Sequence, residues 1–165
     1  MNIDPILRHE IAPENLYCLG KTNYCVKSLL DWFISRQSFI DPMTNEIMGN
    51  EQIKHFTQTG VQKNFYPIIQ QTYLPHYKII RILERHRTYN AEMEKMCDLI
   101  KVTEDKIVET KEKWEKSRNR KNGNPNKFLQ KISKLEEKAN KYNFKKVSIE
   151  ERYAKFLDDI SGIRT

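Results

Sequence analysis

The chain has 165 residues, enough for one domain or for a small domain followed by an extended helical part. With 31% charged residues, 5 Gly and 6 Pro, helix should dominate, and no apolar run approaches the ~18 residues of a membrane span. The net charge of +7 is unevenly spread: residues 1–100 hold 11 Lys/Arg and 11 Asp/Glu, residues 101–165 hold 18 against 11. A neutral N-terminal part is therefore joined to a basic C-terminal part, which predicts two modules.

The first ten residues, MNIDPILRHE, lack the basic-then-apolar pattern of a signal peptide, and three cysteines (Cys18, Cys25, Cys97) are an odd number. A cytoplasmic or nuclear chain without structural disulfides is expected.

Two turn signals of one kind come early, Asp4-Pro5-Ile6-Leu7 and Asp41-Pro42-Met43-Thr44. In each, proline fixes φ and the aspartate can accept hydrogen bonds from the amides that follow, so both should be rigid. Between them, LYCLGKTNY (residues 16–24) fits a short hairpin with Gly20 at positive φ. VKSLLDWFI (residues 26–34) then puts Val26, Leu29, Leu30 and Phe33 on one helical face. The second turn is flanked by large apolar residues where solvent-facing turns usually carry small polar ones. A compact α+β unit over residues 1–57 follows.

That order of elements resembles the U-box, the metal-free relative of the RING finger. The matching residues are Asp4-Pro5-Ile6, Gly20 to Tyr24, Leu29-Leu30-Asp31-Trp32-Phe33 and Asp41-Pro42-Met43-Thr44-Asn45, with EIMGNEQI (residues 46–53) leading into a closing helix. The resemblance covers roughly the first third of the chain. It implies an apolar groove between the two turns that docks a ubiquitin-conjugating enzyme through Ile6 and Pro42, with Met43 beside them. It also places Asn45 where many members steady the loaded ubiquitin. Such ligases form no covalent intermediate; they hold a thioester in a productive orientation. The bland alternative is that Ile6, Phe39 and Met43 merely close a small core.

A cross-braced zinc RING needs paired Cys/His ligands. This stretch offers only His9, Cys18, Cys25 and His55, with no CxxC or CxxH pair. A single zinc on those four is set against Cys18 and Cys25 as small buried apolar residues flanking the hairpin, and the second reading is preferred. No metal or cofactor is expected.

Residues 58–84 form a connector rich in aromatics (Phe65, Tyr66, Tyr73, Tyr77) and interrupted by Pro67 and Pro75, read as an internal packing seam. From about Tyr77 to Ser117 a long helix is predicted. Ile79, Met93, Ile100, Ile107 and Trp114 fall on one heptad lattice, and Ile82, Tyr89, Met96, Thr103 and Thr110 on its companion. Two threonines and His86 make that seam mediocre for a dimeric coil, so a returning helix should cover it. Asn122 to Asn126 is a concentrated turn signal, after which Phe128, Ile132, Leu135, Ala139 and Tyr142 recur at helical spacing. Ser148-Ile149-Glu150-Glu151 reads as a capping box opening a last helix that stops near Gly162. The fold class expected is thus a small α+β U-box-like module followed by a mainly α-helical part, residues 85–165, with a long antiparallel helical hairpin.

Residues 111–146 hold 13 Lys/Arg against four acids, with Lys116, Arg118, Arg120 and Lys121 clustered before the turn. These four are the candidate contacts for nonspecific nucleic acid or another acidic surface; a solvated helical face is the alternative. No nucleic-acid-binding motif is present, and there is no phosphate loop, GxSxG, HExxH or paired-acid constellation. His76 and His86 lie in the connector and on a helix, positions of packing rather than of bases.

Two functions stay open. In one, the chain is a protein–protein interaction and assembly module. U-box-like modules of this kind look similar to ones in proteins of large DNA viruses, so a minor structural component of a virion is one version. In the other, it is a ubiquitin-ligase-type adaptor whose helical hairpin binds the target or a second copy.

Overall fold

The computed structural model describes residues 2–62, 74–118, 120 and 124–161. Residues 63–73 of the connector, among them Phe65, Tyr66, Pro67 and Tyr73, lie outside the described residues, as do Lys121, Gly123 and Gly162. The chain divides into two compact units, Met1–Thr88 with Phe156–Thr165, and Tyr89–Lys155.

The first unit starts with an antiparallel hairpin, β1 (Leu16–Leu19) and β2 (Thr22–Cys25). Leu16 faces Cys25, and Leu19 faces Thr22 across a two-residue turn. Gly20 opens that turn at φ +61° with open space around it, so conformation rather than crowding calls for glycine. Helix α1 (Val26–Arg36) follows without a break and buries Val26, Ser28, Leu29, Leu30, Phe33 and Ile34. It ends at Gln37 in the left-handed region, where the amides of Gln37 and Ser38 donate to the carbonyls of Ile34 and Phe33.

Helix α2 (Asn50–Gln62) begins where the Gln52 side chain accepts from the Gly49 amide, 2.9 Å, and it buries Ile53, Phe56 and Thr57. Helix α3 (His76–Arg118) starts directly after Pro75, whose ring is tolerated at a helix start and whose carbonyl accepts from Lys78 and Ile79. Its first turns bring Ile80 and Leu83 into the same core as Tyr24, Leu29, Phe33, Phe39 and Phe56. Edge-on ring pairs Tyr17–Phe56, Phe33–Phe56 and Phe33–Phe39, with centroids 5.1–5.2 Å apart, hold that core together. The compact unit therefore extends beyond residues 1–57 and uses the start of the long helix as one of its walls.

The second unit is a helical hairpin formed by α3 and α4 (Pro125–Ser161). Tyr89 stacks on Tyr153 at 4.2 Å, and Lys111 meets Glu136 at 3.9 Å, which sets an antiparallel pairing. Covered positions on α3 include Tyr89, Met93, Met96, Ile100, Thr103, Ile107, Thr110 and Trp114, the heptad lattice read from the sequence. On α4 the covered positions run Phe128, Ile132, Leu135, Ala139, Tyr142, Lys146, Ile149, Tyr153. Their spacing alternates four and three without interruption.

That unbroken spacing corrects one expectation. Ser148 to Glu151 open no new helix; they lie inside α4, and the Ser148 carbonyl accepts from Arg152 Nε at 3.4 Å. No Gly or Pro stands nearby to stop the helix, and the continued seam outweighs a local cap signal. Among the described residues no helix is long and apolar enough to cross a membrane.

Candidate functional site

The two Asp-Pro turns are one structure built twice. Each begins with Ile-Asp-Pro, and the second copy is displaced by 37 positions, Asp4 to Asp41. In the first loop the Asp4 amide donates to the His9 carbonyl (2.9 Å), Arg8 to Asp4 (2.7 Å) and Ile11 to Asn2 (2.8 Å). In the second, Asp41 donates to Glu46 (2.9 Å), Asn45 to Asp41 (2.9 Å) and Met48 to Phe39 (2.8 Å). The aspartate side chain accepts from the amide two residues on in both, Ile6 to Asp4 Oδ1 at 2.9 Å and Met43 to Asp41 Oδ1 at 2.8 Å. Each loop is closed by a single strand-like bridge, Ile3 with Glu10 and Ile40 with Ile47. Each also holds a non-glycine residue at positive φ four positions after its aspartate, Arg8 at +55° and Asn45 at +59°. Such backbone persists only where surrounding bonds over-determine it, and here four backbone and side-chain bonds do so.

One strand end anchors both loops. Tyr24, fully buried, donates its hydroxyl to Asp41 Oδ1 at 2.9 Å; burial first, and then that bond, raise its pKa. Its neighbour Cys25 lies against the other loop, with its sulfur and donor atoms of Asp4 and His9 all within 4.8 Å of one another. Trp32 Nε1 donates to the Ile40 carbonyl at 3.0 Å, fixing the second loop to α1, and Arg36 lies over the indole ring at 4.6 Å.

The predicted docking residues sit on these loops in different degrees of exposure. Ile6 is partly buried and packs on the core, and Pro42 is partly buried. Met43 is 60% exposed, and Asn45 is exposed. Phe39, 1% exposed, does close the core, whereas Met43 does not. Three apolar residues of the same loops were not among the sequence candidates: Ile3 (57% exposed), Leu7 (60%) and Ile47 (72%). The repeated Ile-Asp-Pro tripeptide was the signal that could have found Ile3. Ile47 carries no such marker.

One cysteine expectation is revised. Cys18 is exposed, since it points away from the core on alternating β1, and its thiol donates to the Gly20 carbonyl at 3.5 Å. His55 pairs with the Tyr17 hydroxyl, Nδ1 to O 3.0 Å. The grouping His9, Cys18, Cys25 and His55 is therefore not assembled; Asp4, His9 and Cys25 are brought together instead, the one such donor group among the described residues.

The basic candidates belong to the other compact unit. Lys116, Arg118 and Arg120 are exposed around the end of α3, and among the described residues none of the three is ion-paired with an acid. Lys121 lies outside the described residues. Compared with protein-family models, curated proteins and solved structures, the chain matches none.

Proposed function

We propose that the chain is a protein-docking module, with the two Asp-Pro loops as its contact surface. The observation that carries this reading is the combination of rigid backbone and exposed apolar side chains at both loops. Ile3, Leu7, Met43 and Ile47 are each more than half exposed, in a chain with 31% charged residues and ample polar side chains for a purely solvated turn. Rigid loops lose little conformational freedom on binding, so apolar area buried there translates efficiently into affinity. Ile6 and Pro42 form the partly buried base from which Leu7 and Met43 project. Assembly into a larger particle is the version of this function in which the partners are structural proteins.

The doubled loop supports a more specific version, recruitment of a ubiquitin-conjugating enzyme, because the loops carry the residues on which the U-box resemblance rests. In that version Ile6 and Pro42 contact the enzyme and Asn45 lies toward its thioester. The test is autoubiquitination with a panel of conjugating enzymes, comparing wild type with Ile6→Ala and Pro42→Ala, and direct binding measured in parallel. Chains lost in both variants support the ligase. Binding of partners through the loops without ubiquitin transfer supports the assembly module alone. Partners that bind both variants as well as wild type overturn the docking surface.

A further inference from the structure

The two matched loops differ in one respect that bears on ligand binding. Asp41 receives the Tyr24 hydroxyl in addition to its loop amides. Asp4, in the equivalent place and with no exposed surface at all, uses Oδ1 for the Ile6 amide and leaves Oδ2 buried without a hydrogen-bond partner. A carboxylate oxygen shut away from water with nothing to accept from is costly. A histidine and a cysteine lie near the same carboxyl group. Donor atoms of Asp4, His9 and Cys25 fall within 4.8 Å of one another; tetrahedral ligands of a cation bound at ~2.0–2.3 Å stand about 3.3–3.8 Å apart, so a closing of roughly 1–1.5 Å at most brings the three onto one ion.

We propose that Asp4, His9 and Cys25 form a binding site for one zinc-like divalent cation. The donor set decides the class of metal: thiolate with imidazole selects zinc and its neighbours over calcium or magnesium, which take oxygen. Charge balances as well. The Asp4 carboxylate and Cys25 thiolate together carry two negative charges, His9 binds as neutral imidazole, and the Cys25 thiol proton leaves to solvent on binding. His9 is exposed and gives the cation its way in, while Asp4 and Cys25 are buried. A water completes four-coordination. The metal would hold the first loop to the start of α1, as Tyr24 holds the second.

Cobalt(II) serves as the probe, titrated into the full-length, metal-stripped protein. The expected result is saturation at one equivalent, with a thiolate-to-cobalt charge-transfer band and the strong visible absorption of a tetrahedral site. Cys25→Ser abolishes the charge-transfer band, while Cys18→Ser and Cys97→Ser leave it intact. His9→Ala, at an exposed position, and Asp4→Asn, which keeps an oxygen for the Ile6 amide, weaken affinity by at least the ~10–100-fold that even outer-sphere changes cost. At the same zinc concentration, the unfolding temperature rises more for wild type than for His9→Ala. Absence of the band in folded wild type, or a band that survives Cys25→Ser, overturns the site. Neither outcome touches the docking surface, which is read by partner binding.

Discussion

Asp41 concentrates three donors on one oxygen: the Met43 amide at 2.8 Å, the Tyr24 hydroxyl at 2.9 Å and, more weakly, the Thr44 amide at 3.4 Å. Asp41→Ala removes all of them and strands a tyrosine hydroxyl in the core, so it should cost about 3 kcal/mol by urea denaturation. Tyr24→Phe leaves the loop amides satisfied and should cost about 1–1.5 kcal/mol. In the double variant the two losses should be less than additive, since both remove the same bond. The tyrosines also set an alkaline limit. Burial, with a smaller contribution from Cys18, pushes the Tyr17 hydroxyl up to about 12, and Tyr24 and Tyr153 are raised as well. Above the ordinary tyrosine value the unfolded chain has released protons that the folded chain still holds, so stability falls as pH rises. The loss should begin near pH ~10 at about 1.4 kcal/mol per pH unit for each such tyrosine. Urea titrations at successive pH values from neutral upward should show it, and Tyr17→Phe should make the decline shallower.

At the scale of elements, the hairpin seam contains two threonines that look misplaced in sequence. Thr103 and Thr110 are 4% and 5% exposed, and each hydroxyl donates to the carbonyl four residues back, to Leu99 and to Lys106, both at 2.7 Å. Those carbonyls belong to the helical ladder, so losing the extra donor orphans nothing. Thr103→Val and Thr110→Val should therefore stabilise the hairpin, by about 0.8 kcal/mol per added buried methyl, read as a higher thermal midpoint. Unchanged or lower midpoints would mean the hydroxyls matter more than their geometry indicates. Stepping by heptads from the Tyr89–Tyr153 stack places Thr103 opposite Ala139 and Thr110 opposite Ile132. The hairpin, its register lattice and the α1 face were legible because period is a property of neighbouring residues. The two Asp-Pro turns were legible for the same reason, proline and aspartate acting within a few positions. Long-range consequences were not. That Ile80 and Leu83 join the N-terminal core, that Asp4 meets Cys25, and that α4 ignores its own capping box all depend on distant parts of the chain. Local spacing carries no information about them.

For the whole molecule, the two candidate surfaces fall in different compact units. The apolar loop residues belong to the first, and Lys116, Arg118 and Arg120 to the second. A basic cluster with no acidic partner among the described residues retains its counterion attraction, and a polyanion binding there releases condensed ions. We expect Lys116→Glu, Arg118→Glu, Arg120→Glu and Lys121→Glu combined to weaken binding of single- or double-stranded DNA and to flatten its salt dependence. Each lost phosphate contact should reduce the slope of log K against log salt by about 0.7–0.9. Affinity measured by fluorescence anisotropy from low to moderate salt gives that slope directly. Wild-type binding that does not change with salt would remove the electrostatic role of the cluster, and its residues would then be a solvated face. Because the loops lie in the other unit, Ile6→Ala and Pro42→Ala should leave the slope unchanged while the protein partner is lost. The converse should hold for the charge reversals, so the two surfaces are separable by mutation in one chain.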